Sequence, residues 1–86
     1  MISKEEIEKL VKTEKICMGT ENTLKNLRSS NLNKILVSKN CPRNVVEDIE
    51  SLSEGTEILF LEKNNEELGI ICKKPFHISV IGILKR

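Results

Sequence analysis

The residue types that most often do chemistry are sparse and scattered here. His77 is the only histidine, and Cys17, Cys41 and Cys72 are the only thiols. No Cys-x-x-Cys occurs, and a zinc site would need four ligands at closer spacing. The expectation is no metal, no cofactor and three reduced cysteines acting as small apolar residues, as in a cytosolic protein. His77 opens an apolar segment beside a loop, where a lone histidine is usually structural. Glu47, Asp48 and Glu50 cluster, but in the first half of an expected helix, where the macrodipole favours acids without any functional reason. No nucleotide phosphate loop, dinucleotide fingerprint or nucleophile elbow is present. Nothing in the sequence reads as an enzyme.

Three segments instead carry binding chemistry. In Gly19-Thr20-Glu21-Asn22-Thr23-Leu24-Lys25, a glycine followed by a polar helix start exposes free backbone N–H groups that suit a phosphate. Asn22 offers an amide to a base edge or sugar, and Lys25 lies one turn on; an ordinary capped helix would read the same way. Ser38-Lys39-Asn40-Cys41-Pro42-Arg43 closes a strand with two cations and an amide, as a generic strand-to-helix loop also can. Lys73-Lys74-Pro75-Phe76-His77-Ile78 places one of only two aromatic residues beside cations. An aromatic and an aliphatic there can receive an unstacked base while the lysines neutralise phosphates. The other possibility is that Phe76 folds back into the core.

Composition sharpens this reading. With no Trp or Tyr, the core must be Ile, Leu and Val, and an aromatic outside it is conspicuous. Phe60, within Ile58-Leu59-Phe60-Leu61, is expected to be the core aromatic. The net charge of +1 points to no partner, but its distribution is uneven. Residues 20–46 carry a net +4, residues 47–67 a net −7 and residues 68–86 a net +4. That pattern fits either chance variation among solvated faces or a molecule with a polyanion-facing side and an acidic back. The N-terminal residues are charged and do not resemble a signal peptide, and no stretch approaches the length of a membrane span.

Elements alternate regularly. Ser3 and Glu6 have capping-box spacing before a helix to about Thr13, and a strand is expected at Lys15 to Met18. Thr20 can cap a second helix, which carries Leu24 and Leu27 and frays at Ser29 to Asn31. Lys34 to Ser38 reads as a buried strand. Asn44 and Glu47 start a third helix with a Val45, Ile49 and Leu52 stripe, stopped by Gly55. Glu57 to Leu61 is a third strand, and Asn64 and Glu67 cap a fourth helix that Pro75 prevents from continuing. His77 to Leu84 is the last strand, whose alternation puts Phe76, Ile78 and Val80 on one face. The order αβαβαβαβ in 86 residues implies one α/β domain with helices on both faces of a sheet. Strand order does not follow from the pattern.

The chain resembles the L-thirty-e family of archaeal and eukaryotic large-subunit ribosomal proteins, part of the kink-turn-binding superfamily that also contains the L-seven-Ae protein. The resemblance runs from about Lys15 to Leu84. It rests on Lys15-Ile16-Cys17-Met18-Gly19, Ser38-Lys39-Asn40-Cys41-Pro42, Glu47-Asp48-Ile49-Glu50, Asn65-Glu66-Glu67-Leu68-Gly69 and Lys74-Pro75-Phe76 in their order and spacing. It implies a three-layer α/β/α sandwich with a four-stranded mixed sheet. It further implies a ribosome-associated, cytoplasmic protein that binds a kink-turn of rRNA, a bent internal loop with a flipped-out nucleotide, beside other ribosomal proteins; the alternatives are a kink-turn protein of a non-ribosomal ribonucleoprotein, or a protein–protein adaptor on the same fold that works through the acidic residues 47–67. The residues that match the family's RNA contacts are Gly19, Thr20, Glu21, Asn22 and Lys25, then Asn40, then Lys74. Phe76 and Ile78 correspond to the pair that packs on the extruded nucleotide. Glu21 stands where relatives usually carry a basic residue or Asn, and Lys73 where a glycine is usual.

Overall fold

The computed structural model describes residues 3–53 and 55–85. Its elements are α1 (Lys4–Thr13), β1 (Ile16–Met18), α2 (Thr20–Arg28), β2 (Leu32–Val37), α3 (Arg43–Leu52), β3 (Glu57–Phe60), α4 (Asn65–Ile71) and β4 (Val80–Leu84). The sheet order is β1-β4-β2-β3. β4 runs antiparallel to both β1 and β2, whereas β2 and β3 are parallel. The last strand is thus inserted between the first two, which element alternation alone does not reveal.

Helices cover both faces of the sheet, giving the expected three layers. α1 and α4 cover a cluster that includes Ile7, Leu36, Leu68, Ile78, Ile81 and Ile83. α2 and α3 cover Leu27, Leu32, Ile35, Val37, Ile49 and Val80. Successive residues of the central strands therefore serve opposite cores, which is why Ile35-Leu36-Val37 and Val80-Ile81 read as unbroken apolar runs. Each fully buried Ile, Leu or Val contributes about 1.5–3 kcal/mol by leaving water.

Local signals account for most element ends. The Ser3 side chain accepts the Glu6 N–H at 3.2 Å. Asn64 and Glu67 form a reciprocal capping box, at 2.9 Å and 3.2 Å. α3 differs from expectation. It begins at Arg43 with Pro42 as the N-cap residue, and the Pro42 carbonyl accepts both the Val45 and Val46 N–H groups at 3.1 Å. Glu47 accordingly forms no box with Asn44 and pairs with Arg43 at 3.3 Å.

Two further expectations are corrected. Phe60 is 55% exposed, because β3 lies at the sheet edge and its last residue has a neighbouring strand on one side only. β4 starts at Val80, not His77, because the chain bends at Ser79. The bend breaks the alternation, so Ile78 enters the α1/α4 core while Val80 enters the other.

α4 ends in paired 6→1 and 5→2 hydrogen bonds, Lys74 N–H to the Gly69 carbonyl at 2.9 Å and Lys73 N–H to that of Ile70 at 3.0 Å. The residue between them, Lys73, has φ 59°, a left-handed conformation that favours glycine. Replacing Lys73 with Gly should stabilise the fold by about 1 kcal/mol, since the left-handed penalty exceeds glycine's entropic cost there. An unchanged or lower urea midpoint for that variant would refute the strain.

Candidate nucleic-acid interface

The sheet topology brings all three candidate segments to one end. Antiparallel pairing places the end of β1 and the end of β2 beside the start of β4, with Met18 opposite Ile81 and Val37 opposite Val80. Backbone bonds then stitch the entry to β4 to each neighbour. The Gly19 N–H donates to the Val80 carbonyl at 3.0 Å and the Ser38 N–H to the Ser79 carbonyl at 2.8 Å, while the Ile78 N–H donates to the Asn65 carbonyl at 3.0 Å.

Both helices that start from this seam on the α2/α3 face are left without side-chain caps. Gly19, at φ 91°, is the N-cap residue of α2, and Thr20 opens the helix as its first residue. Pro42 has no side chain able to accept a bond, and α3 has no acid in its first turn but opens with Arg43. A cation there opposes the helix dipole by about 0.3–1 kcal/mol, and the leading N–H groups remain available. On the opposite face, by contrast, α1 and α4 carry the side-chain caps of Ser3 and Asn64. Two uncapped helix starts at one end of the sheet leave backbone N–H groups free to meet an anion, with Glu21 in the first turn of α2 opposing one.

The side chains of the first segment are exposed at this end. Glu21, Asn22 and Lys25 all face solvent. The Asn22 amide donates to the Met18 carbonyl at 3.2 Å, which orients its oxygen as an acceptor. Among the described residues Lys25, Lys39 and Lys74 have no ion-pair partner, and nor does Glu21. Lys73 instead lines a groove between α1 and α4 with Lys4, Glu8, Val11 and Lys12.

Asn40 is brought to the site, but its amide is already engaged. Its oxygen accepts the Asn65 N–H at 2.8 Å, and its nitrogen donates to the Asn65 side-chain oxygen at 3.1 Å. The Asn65 amide nitrogen reaches Ser79 Oγ at 3.5 Å. Asn65 is thus the hub joining the β2 turn, the α4 start and the loop before β4. The sequence offered one hint of it, since Asn64 alone suffices as the α4 cap and leaves Asn65 free for another role.

The aromatic loop is held by a close approach. Gly69 has no side chain, and an added Cβ would collide with the Phe76 carbonyl oxygen, so the loop lies directly on α4. Phe76 itself is 53% exposed. Its expected companion is not on the surface: Ile78 is 1% exposed and packs in the α1/α4 core. As the protein stands, Phe76 presents its ring without Ile78 beside it. The chain bends at Pro75 and Phe76 and forms no strand before Val80, so strand alternation does not tie the two side chains together.

Burial pushes Cys41 and Cys72 above the usual 9.0, and the Lys74 ammonium partly opposes this for Cys72. Among the described residues no group of three or more His, Cys, Asp or Glu is placed to hold a metal ion, and no helix is long and apolar enough to cross a membrane.

Fold and surface together define a small α/β/α binding module with a polyanion-receptive end. The chain belongs to the ribosomal protein L7Ae/L30e/S12e/Gadd45 family, whose model matches residues 1–86. It is 36% identical over 77 residues to the large ribosomal subunit protein eL30 of Archaeoglobus fulgidus, covering 90% of this chain and 87% of that protein. It is also 36% identical over 81 residues to the eL30 of Sulfolobus acidocaldarius, covering 92% and 78%. In structure it is similar to the Giardia lamblia 15.5kD RNA binding protein, with TM-score 0.77 and 17% identity over 93% of this chain and 68% of that one. It is similar also to a Bacillus halodurans protein of unknown function, with TM-score 0.73 and 14% identity over 92% and 80%. At those identities the structural likeness bears on fold alone.

The geometry separates the roles of the two loop residues. Ile78→Ala should destabilise by about 2–5 kcal/mol as a core truncation. Phe76→Ala should cost under about 1 kcal/mol, because a half-exposed ring leaves no sealed cavity. Melting curves of the two variants check this, and equal losses would contradict it. The thiols predict a pH trend. The native state holds their protons more tightly than the unfolded chain, so their contribution is complete below 9.0 and declines as pH rises past it. A Cys41→Ala/Cys72→Ala double variant should show a flatter loss of urea resistance above that pH. An identical slope would remove the thiols from the account.

Proposed function

We propose that this protein is a structural, non-catalytic component of the large ribosomal subunit, a single RNA-binding domain that grips a kink-turn-like element of rRNA. The observation that carries the reading is the convergence at one sheet end of two uncapped helix starts, three unpaired lysines and a half-exposed phenylalanine. Family membership and eL30 relatives supply the ribosomal context, and with it a ribosome-associated location in the cytoplasm beside other ribosomal proteins.

In this reading the leading N–H groups of α2, with Gly19 and Thr20, and of α3, with Arg43, hold backbone phosphates, and Lys25, Lys39 and Lys74 neutralise others. These contacts fix orientation and carry no sequence information. Asn22 presents its amide oxygen to a base or sugar edge displaced by the kink. Phe76 covers an extruded nucleotide by stacking. Ile78 acts from below, as core support for the loop. Asn40 acts with Asn65, holding the β2 turn against the loop that carries Phe76, and is a positioning residue. Glu21 accepts a hydrogen bond from a base, a polar contact that a plain duplex phosphate would reject.

Binding of a kink-turn RNA, compared with a straight duplex of equal length, tests this. Neutralising roughly three to five phosphates predicts a log–log salt slope of about −3 to −5, and a flat salt profile would reject the cationic end. Phe76→Ala and Asn22→Ala should each lose about 1–3 kcal/mol on the kinked RNA and little on the duplex. Asn65→Ala should weaken kinked-RNA binding without touching RNA itself, and pairing it with Asn40→Ala should add little further, because both remove one clamp. Fully additive losses would mean that Asn40 contacts RNA independently.

A further inference from the structure

Phe60 is a large apolar side chain left 55% exposed on an edge strand, and nothing in the proposed RNA grip uses it. β3 is paired with β2 alone, in a parallel register from Lys34 opposite Glu57 to Val37 opposite Phe60 that has no bulge. Its outer edge presents backbone N–H and C=O groups to any strand that approaches. Edges are commonly protected by Lys, Pro, a bulge or extreme shortness. β3, four residues long with one charge at Glu57, carries no Lys, Pro or bulge, and the opposite edge, β1, is three residues long.

The surroundings of this edge favour one kind of occupant. Between β3 and α1 runs a groove floored by Leu10 and Leu59 and rimmed by Glu6, Glu14 and Glu57, with Lys9 and Lys34 partly offsetting them. On the other face Ile58 joins the α2/α3 cluster, and α3, which crosses from β2 to β3, exposes Glu47, Asp48 and Glu50. Glu62 is exposed just beyond the strand. Residues 47–67 carry the net −7 of this chain. Phosphate would be repelled here, and two copies meeting edge to edge would bring the same carboxylates together. A cationic strand meets neither objection.

We infer that the β3 edge is a protein-docking site that takes an added strand from a basic, extended polypeptide segment. Main-chain hydrogen bonds supply the attachment, and alternate side chains select the partner. Apolar residues of the incoming strand settle toward Leu10 and Leu59 on one face and against Ile58 and Phe60 on the other. Its Lys or Arg residues at either end meet Glu57 and Glu62. β3 ends beside Val37, next to the turn that carries Lys39 and Asn40, but its outer edge lies on the side away from β2, and the inference does not rest on the RNA reading.

A fluorescein-labelled decapeptide of alternating Lys and Val, titrated against the full chain by anisotropy, tests the inference. Saturable binding is expected, with amide exchange slowed at residues 57–60 in the complex. Phe60→Lys, shown to be folded by its melting curve, should weaken the peptide by about tenfold or more. Glu57→Lys should weaken it as well. The inference fails if the peptide does not saturate, if a Glu/Val decapeptide binds equally, or if protection appears elsewhere. Displacement by oligouridylate would give the edge to RNA. Concentration-dependent dimerisation abolished by Phe60→Lys would give it to a second copy. Either result overturns the proposal.

Discussion

The entry of β4 between β1 and β2 is the constraint on which the rest of this protein depends. An alternating chain of helices and strands could have placed its last strand parallel to the others. The start of that strand would then lie at the far end of the sheet, displaced by its own length, roughly 3.3 Å for each of its residues. Phe76 would be separated from Gly19 and Asn40 by the whole sheet. Antiparallel insertion instead puts residues 78–80 against Gly19, Ser38 and Asn65 through three backbone bonds. A binding surface made of segments distant in sequence is the direct result.

Holding the last strand in that position demands local concessions. The loop must return from α4 within a few residues, so α4 stops with Lys73 in a left-handed conformation and Gly69 yields its side-chain space to the Phe76 backbone. The chain then bends at Ser79 before pairing, which sends Ile78 into one core and Val80 into the other. The bends at Pro75 and Phe76, ahead of it, separate the two loop side chains. Ile78 anchors the loop from inside and Phe76 stays outside, so the ring is presented on a base fixed by packing.

The sequence made some of this legible and concealed the rest for physical reasons. Capping chemistry is local, so Ser3 with Glu6 and Asn64 with Glu67 could be read directly, as could the order of elements. Strand order depends on contacts between residues far apart, and an apolar run looks the same in a central or an edge strand. Ile58-Leu59-Phe60-Leu61 therefore reads as core, though Phe60 is exposed at the edge. Strict alternation is a property of straight strands, so the Ser79 bend hid the burial of Ile78. Residue type marked Asn40 as important, but not that its amide is spent on Asn65, a residue 25 positions away. The segments of the site could be read from sequence; the division of labour within them required the topology.

The charge pattern acquires a physical meaning only on this fold. A net charge of +1 gives no long-range pull on a polyanion, so the RNA grip proposed for this protein rests on short-range contacts. The sheet order sets β3 three strands from β1, about 14 Å at the usual interstrand spacing. That exceeds the Debye length of about 8 Å at physiological ionic strength. Carboxylates along the β3 edge are thus largely screened from the start of α2, but not from Lys39 and the start of α3, because β3 pairs directly with β2 and the Lys39 N–H donates to the Lys63 carbonyl at 2.8 Å. A small domain with a weak overall field discriminates poorly against straight duplexes by charge. It must do so by shape, and the rigid seam at the start of β4 is what fixes the shape.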